Sequence, residues 1–193
     1  MHEHAVAADI LAHLATEPGR EESIGSLATL SGRSAAAIAA ACDLLKRWSL
    51  IDDSVTGAVR LPPVWSHSDQ PVILIVENTV AVAHLVGALL DSEGYRVLIA
   101  GTLDIGRRVL ESVPIDLVVA DSFSDTARDA LNRLSVLRDA NRSTPVMIFT
   151  AHRDLDDERA KTEGFAGVLR KPFDIDDLLA RVSSQIMARR TVG

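Results

Sequence analysis

Val72-Ile-Leu-Ile-Val-Glu-Asn-Thr-Val-Ala-Val-Ala-His-Leu-Val-Gly-Ala-Leu-Leu90 changes its period partway. Val72 to Val76 is a short, wholly apolar, mostly β-branched run, the pattern of a strand buried on both faces. Beyond it Val82, Leu85, Val86 and Leu89 fall at i, i+3, i+4 and i+7, one face of a helix. The same alternation then repeats. Glu93-Gly94 stops the helix and Tyr95 to Ala100 reads as the next strand; a helix from about Leu103 to Val113 ends at Pro114. Asp116 to Ala120 is a third strand, followed by a helix over roughly Thr126 to Asp139, and Pro145 to Phe149 is a fourth. A charged helix near Leu155 to Glu163 leads to the short strand Gly167 to Arg170. The last helix is capped by Asp174 and buries Ile175, Leu178, Leu179, Val182 and Ile186. Five apolar strands alternating with five helices predict an α/β fold, a (βα)5 doubly wound parallel sheet covered on both faces.

Composition narrows the function. The 193 residues are 47% hydrophobic and 24% charged, the balance of a globular chain. Twenty basic against 27 acidic residues leave a formal charge of −7, which argues against broad electrostatic binding to nucleic acid. A single cysteine, Cys42, excludes an intrachain disulfide and a thiolate metal cluster, and its place on an apolar helix face makes it a core residue. The apolar run Thr79 to Leu90 is interrupted by His84 and falls short of the ~20 residues a membrane span needs. Met-His-Glu-His lacks the basic start and apolar core of a signal peptide, so a cytoplasmic protein is expected.

Residues 1–60 read differently. They are alanine-rich, and the expected organisation is a mainly helical domain over 1–60, a linker over 61–70 and the α/β domain over 71–193. Pro62 and Pro63 favour extended backbone in the linker, Ser66 to Gln70 are polar, and Trp65 tacks the segment onto one of the domains. Ile10, Leu11 and Leu14 mark a first helix within residues 5–16. Ser23 to Gly32 fits a second, and Ser34 caps a third that carries Ile38, Ala41, Cys42 and Leu45 on one face. Leu50 to Leu61 alternates around Gly57 like a hairpin.

In open parallel sheets ligands gather beyond the C-terminal strand ends. Those ends are Glu77-Asn78, Asp121, Thr150 and Lys171-Pro172. Singly, Asp121 can cap the next helix and Thr150 is an ordinary strand-to-loop residue, whereas a lysine at a strand end needs a carboxylate partner. As a set, with Asp116-Leu-Val-Val-Ala-Asp121 and Leu169-Arg-Lys-Pro-Phe-Asp-Ile-Asp-Asp-Leu-Leu179, residues 71–190 resemble the receiver domain of two-component response regulators, a flavodoxin-like fold. The resemblance implies that Asp121 accepts a phosphoryl group, that Thr150 and Lys171 contact phosphoryl oxygens, and that Glu77, Asn78 and Asp121 hold Mg2+. It also implies a histidine kinase or phosphotransfer protein as donor. The chemistry is sound, because a carboxylate becomes an acyl phosphate when the charge on the transferring oxygens is neutralised. Three positions depart from the family. Asn78 stands where a second acid is usual, so weaker metal binding is expected. The loop Ser122-Phe-Ser-Asp-Thr126 lacks the usual proline and glycine, and Val168 replaces an aromatic on the fifth strand.

Three helices followed by a hairpin resemble a winged helix-turn-helix. Arg33, Lys46, Arg47 and Arg60 are its candidate DNA contacts, but the third helix opens Ser34-Ala-Ala-Ala-Ile-Ala-Ala-Ala41, which offers little to base edges. Five basic against eight acidic residues in 1–60 add little phosphate affinity. DNA, a protein partner and a second copy of the chain remain its candidate partners, and a homodimer is expected. This order inverts that of winged-helix regulators in which the receiver comes first. The expectation is a phosphorelay signalling protein rather than an enzyme; the alternative is an atypical receiver acting as a phosphorylation-independent interaction or dimerisation module. A haloacid-dehalogenase-like phosphatase would need Asp-x-Asp where Glu77-Asn-Thr79 stands, and no Gly-x-Gly-x-x-Gly loop supports a nucleotide enzyme. His2 and His4 are expected on a mobile terminus, with a metal pair as the other reading. His84 lies in a helix, and His152 is expected to be an exposed loop residue within reach of a phosphoryl group.

Overall fold

The computed structural model describes residues 2–17, 19–54, 57–62, 65 and 69–192, with burial and side chains described as far as 189. Linker residues Pro63, Val64 and Ser66 to Ser68, and Val55 and Thr56 of the hairpin, lie outside the described residues.

Strands β4 (Val72–Val76), β5 (Arg96–Ala100), β6 (Leu117–Asp121), β7 (Val146–Thr150) and β8 (Gly167–Arg170) form one parallel sheet in the order β5-β4-β6-β7-β8. Every residue of β4 is buried because neither face of the sheet meets water. Alternation along the strand divides the core. Ile73 and Ile75 face α4 (Val80–Ser92) and α8 (Ile175–Val192), against Val86, Leu90, Leu178 and Val182. Val72, Leu74 and Val76 face α5 (Leu103–Ser112), α6 (Ala127–Ala140) and α7 (Asp157–Thr162). Thr102, Thr126 and Asp156 cap α5, α6 and α7, each accepting a backbone N–H from the first turn. Gly106 lets α5 press onto β4, since a Cβ there would stand 2.9 Å from Val76 Cγ2.

The first sixty residues form α1 (His2–Leu14), β1 (Glu21–Glu22), α2 (Ile24–Ser31), α3 (Ala35–Arg47), β2 (Asp52–Asp53) and β3 (Val59–Arg60). Ser23 and Ser34 cap α2 and α3, and Gly32, at φ 65°, ends α2. The hairpin has a third partner: β3 lies between β2 and β1 in a small antiparallel sheet.

These helices do not stand apart from the sheet. α1 runs along edge strand β5 and against α5, and Val6, Ile10, Leu11, Ile38 and Leu45 belong to the same apolar cluster as Leu74, Val76 and Leu98. Trp65 and Leu61 of the connecting segment pack against that cluster. The expectation of a mobile terminus fails at His4. Its ring is buried, Nδ1 donates to the Val97 carbonyl at 2.8 Å, and it meets Trp48 edge-on at 5.5 Å. Burial holds this imidazole below the ordinary histidine value. Beside it, Arg96 donates to Trp48 O at 2.7 Å and Gln70 O at 2.8 Å, tying α3, the connecting segment and β5 together. Edge strands expose unpaired carbonyls, and at Val97 a helix and its histidine supply the missing donor.

Candidate acidic site

Parallel strands end together, so β4, β6, β7 and β8 deliver their last residues to one rim of the sheet. Asp121 ends β6 and Thr150 ends β7, while Glu77 and Lys171 each follow the last residue of β4 and β8. Lys171 Nζ donates to Asp121 Oδ1 at 2.6 Å and to Glu77 Oε2 at 2.7 Å. The remaining oxygens take backbone donors, Glu77 Oε1 from Thr79 N and Asp121 Oδ2 from Phe123 N, both at 2.8 Å. Phe123 adopts φ 48°, a left-handed turn conformation that aims its N–H at Asp121. Glu77 is 3% exposed and Asp121 18%, so one carboxylate is structural in its burial and the other opens to solvent. Burial alone would lower the Lys171 ammonium; its hydrogen bonds to Asp121 and Glu77 outweigh that and raise it above the ordinary lysine value.

The rest of the expected set lies around this triad. Thr150 is fully buried and its Oγ1 accepts the His152 N–H at 3.0 Å; Lys171 N donates to its carbonyl at 2.7 Å, but among the described residues no side-chain hydrogen bond joins its hydroxyl to Asp121 or Lys171. Asn78 is exposed. His152 is half-buried rather than exposed, with Nε2 2.8 Å from Ser124 O, so it spans the loops after β6 and β7. Its ring is engaged with the loop, a role that sequence pattern does not signal. Val168 is buried in the core facing α5 to α7.

The donor set suits a hard cation, since the Glu77 and Asp121 carboxylates and the Asn78 amide offer oxygen ligands. It is nevertheless poor in charge, because Lys171 neutralises one of the two carboxylates. No group of three or more histidine, cysteine, aspartate or glutamate residues that could hold a metal occurs among the described residues.

The candidate DNA contacts are differently placed. Arg33 pairs with Asp9 at 2.7 Å, Lys46 with Asp53 at 2.6 Å and Arg60 with Glu21 at 3.5 Å, while Arg47 is exposed. On the exposed side of α3 lie Ala35, Ala36, Asp43 and Arg47. Burial pushes the Cys42 thiol up, as expected of a core residue. No helix among the described residues is long and apolar enough to cross a membrane.

The sequence profile of the response regulator receiver domain matches residues 73–183. The chain belongs to the response regulator receiver domain family. Among curated relatives, it is 32% identical over 115 residues to the transcriptional regulatory protein GlrR of Escherichia coli, covering 59% of this chain and 26% of that one. It is 30% identical over 129 residues to the cell cycle transcriptional regulator CtrA of Caulobacter vibrioides, covering 63% and 52%. The chain therefore spans about a quarter to a half of these relatives' lengths. Its fold resembles a CheY-like receiver domain protein from Methanospirillum hungatei, with TM-score 0.57 and 22% identity over 65% of this chain and all of that one. A response regulator from Thermotoga maritima gives 0.53 and 26% over 61% and 98%. In this receiver, residues 77–79, 121–126, 150–152 and 171 make up the rim.

Proposed function

We propose that this receiver accepts a phosphoryl group at Asp121 within a phosphorelay and relays the change to the N-terminal helices. The observation that carries the reading is the Lys171 ammonium held between Asp121 and Glu77. Such an arrangement leaves a cation where charge builds on a transferring phosphoryl group. In the transfer, an Asp121 oxygen attacks phosphorus, the P–N bond to a donor histidine breaks, and the leaving imidazole nitrogen takes up a proton. Lys171 then exchanges one carboxylate contact for a phosphoryl oxygen. Thr150 donates its hydroxyl to another, for which it must turn out of its own loop. Glu77, Asn78 and Asp121 are the residues that would hold Mg2+, which when bound offsets the charge of the phosphoryl oxygens. The donor is a histidine kinase or phosphotransfer protein in the cytoplasm. The protein is a carrier of the group rather than an enzyme, working as a homodimer.

For the N-terminal helices, the ion pairs of Arg33, Lys46 and Arg60 favour a protein partner or second copy over DNA. A second reading, a phosphorylation-independent interaction module, is favoured by Asn78 and by the buried Val168 in place of a switching aromatic. Beryllofluoride with Mg2+ separates the two. The phosphoacceptor reading expects saturable shifts at the amides of Thr79, Phe123, His152 and Lys171, absent in Asp121→Asn. An unchanged spectrum at millimolar ligand would leave the interaction module.

A further inference from the structure

The N-terminal helices sit at the β5 edge of the sheet, while β8, which leads into Lys171, is at the other edge. A short run of contacts leads from the acidic site to those helices. Glu77 N donates to Ala100 O at 3.1 Å, joining the ends of β4 and β5. Val76, immediately before Glu77, is the side chain on which α5 rests at Gly106, with no space for even one added carbon. From the same helix, Ile105 and Arg108 face Val6, Ile10 and Ile38 across a cavity of about 280 Å3 between α5 and the helices α1 to α3. Thus α5 is close-packed on Val76 towards the site, while on its other side Ile105 and Arg108 border a solvent-open cleft with the N-terminal helices that α5 also packs against. Close-packed contacts transmit displacement, and an open cleft beside them can widen or narrow when one wall moves.

We propose that α5 is the joint between the acidic site and the N-terminal helices: a shift of the β4 end moves α5 through the Val76–Gly106 contact and closes or opens its seam with α1. The proposal rests on the phosphoacceptor reading for its trigger but not for its mechanics. Val168, buried on β8, leaves this route independent of an aromatic swing at the opposite edge.

Hydrogen exchange on the full chain, resolved by segment, tests it. With beryllofluoride and Mg2+, protection in residues 2–14 and 103–112 should change at least fivefold, and in 157–162 by less than twofold. A response in 157–162 with none in 2–14 overturns the joint. In Gly106→Ala the loops 77–79 and 121–126 should still respond while 2–14 no longer follows; a wild-type response in 2–14 overturns it equally. If the site loops ignore beryllofluoride, the phosphoacceptor reading fails by itself. The joint is then judged without ligand, where Gly106→Ala must raise exchange in 72–79 and 2–14 together, and a change confined to α5 refutes it. Should Gly106→Ala lose its circular-dichroism signature, Ile105→Ala, which trims the other side of the seam, carries the same expectations for 2–14.

Discussion

At the sheet rim one ammonium group faces two carboxylates that lie 50 and 94 residues away in the chain. On the N-terminal helices and hairpin, Arg33, Lys46 and Arg60 each face one carboxylate within the same sixty residues. The two regions share a core but handle charge oppositely. The rim keeps an unbalanced negative charge that long-range folding assembles, and it can trade a lysine contact for a phosphoryl oxygen or a cation. The N-terminal surface ties the cations Arg33, Lys46 and Arg60 to local carboxylates and, with eight acidic against five basic residues in 1–60, offers no attraction to a polyanion. A site for small-group chemistry and a surface suited to protein packing thus differ in how their cations are held, one shared between two distant carboxylates and the others each paired within the same sixty residues.

The sharpest way to break this contrast is to remove the lysine. Lys171→Met leaves Glu77 and Asp121 facing each other without a cation, and breaking such a pair costs about 3 kcal/mol in urea unfolding at pH 7. Because the folded Lys171 value is raised, its contribution is complete below the ordinary lysine value of 10.5 and is lost as pH climbs through the folded value. The gap between wild type and Lys171→Met should accordingly hold from pH 7 to 10 and narrow above that.

Glu22 offers the N-terminal counterpart. The Ser26 hydroxyl, then His13 and Arg20, hold its carboxyl at about 2 against the opposing effect of burial. Glu22→Gln should lose about 2 kcal/mol at neutral pH. That loss belongs to a depressed carboxyl, so it is full above the ordinary value of 4.5 and shrinks as pH falls towards about 2. Denaturant unfolding of both proteins between pH 3 and 7 reads it; a constant gap over that range would mean that Glu22 acts by packing alone.

Smaller still is the metal effect. Asn78→Asp restores a carboxylate beside Glu77 and should tighten Mg2+ about tenfold, a change of about 1.4 kcal/mol after hydration takes its share of the Coulomb gain. Titration calorimetry on the full chain measures it, and equal affinities would remove Asn78 from the metal set. The least effect is expected from DNA. A shift assay with the full chain should show no complex from low to physiological salt, with or without beryllofluoride, and a salt-sensitive complex would return Arg33, Lys46, Arg47 and Arg60 to DNA recognition.

The sheet was legible because its strands are long enough to change hydrophobic period against the helices between them, and Gly94 and Pro114 punctuate the joints. The convergence of Glu77, Asp121 and Lys171 follows from strand ends alone, since a parallel sheet brings them to one rim. What lay hidden depends on pairing across distance. β1 is two residues long, too short for alternation, and exists only through β3. His4 finds its partner 93 residues away in the carbonyl of Val97, a backbone group that carries no sequence signature. Thr150 ends β7 on the rim, yet its hydroxyl engages the His152 N–H, a loop geometry that residue type does not encode.

Incubating the full chain with a small acyl-phosphate donor and Mg2+, then weighing the intact protein, tests the central claim most directly. The account predicts one phosphoryl group per chain, stable to acid, labile to base and absent from Asp121→Asn. A chain that stays unmodified under conditions that phosphorylate a control receiver, or an adduct that survives Asp121→Asn, would contradict it.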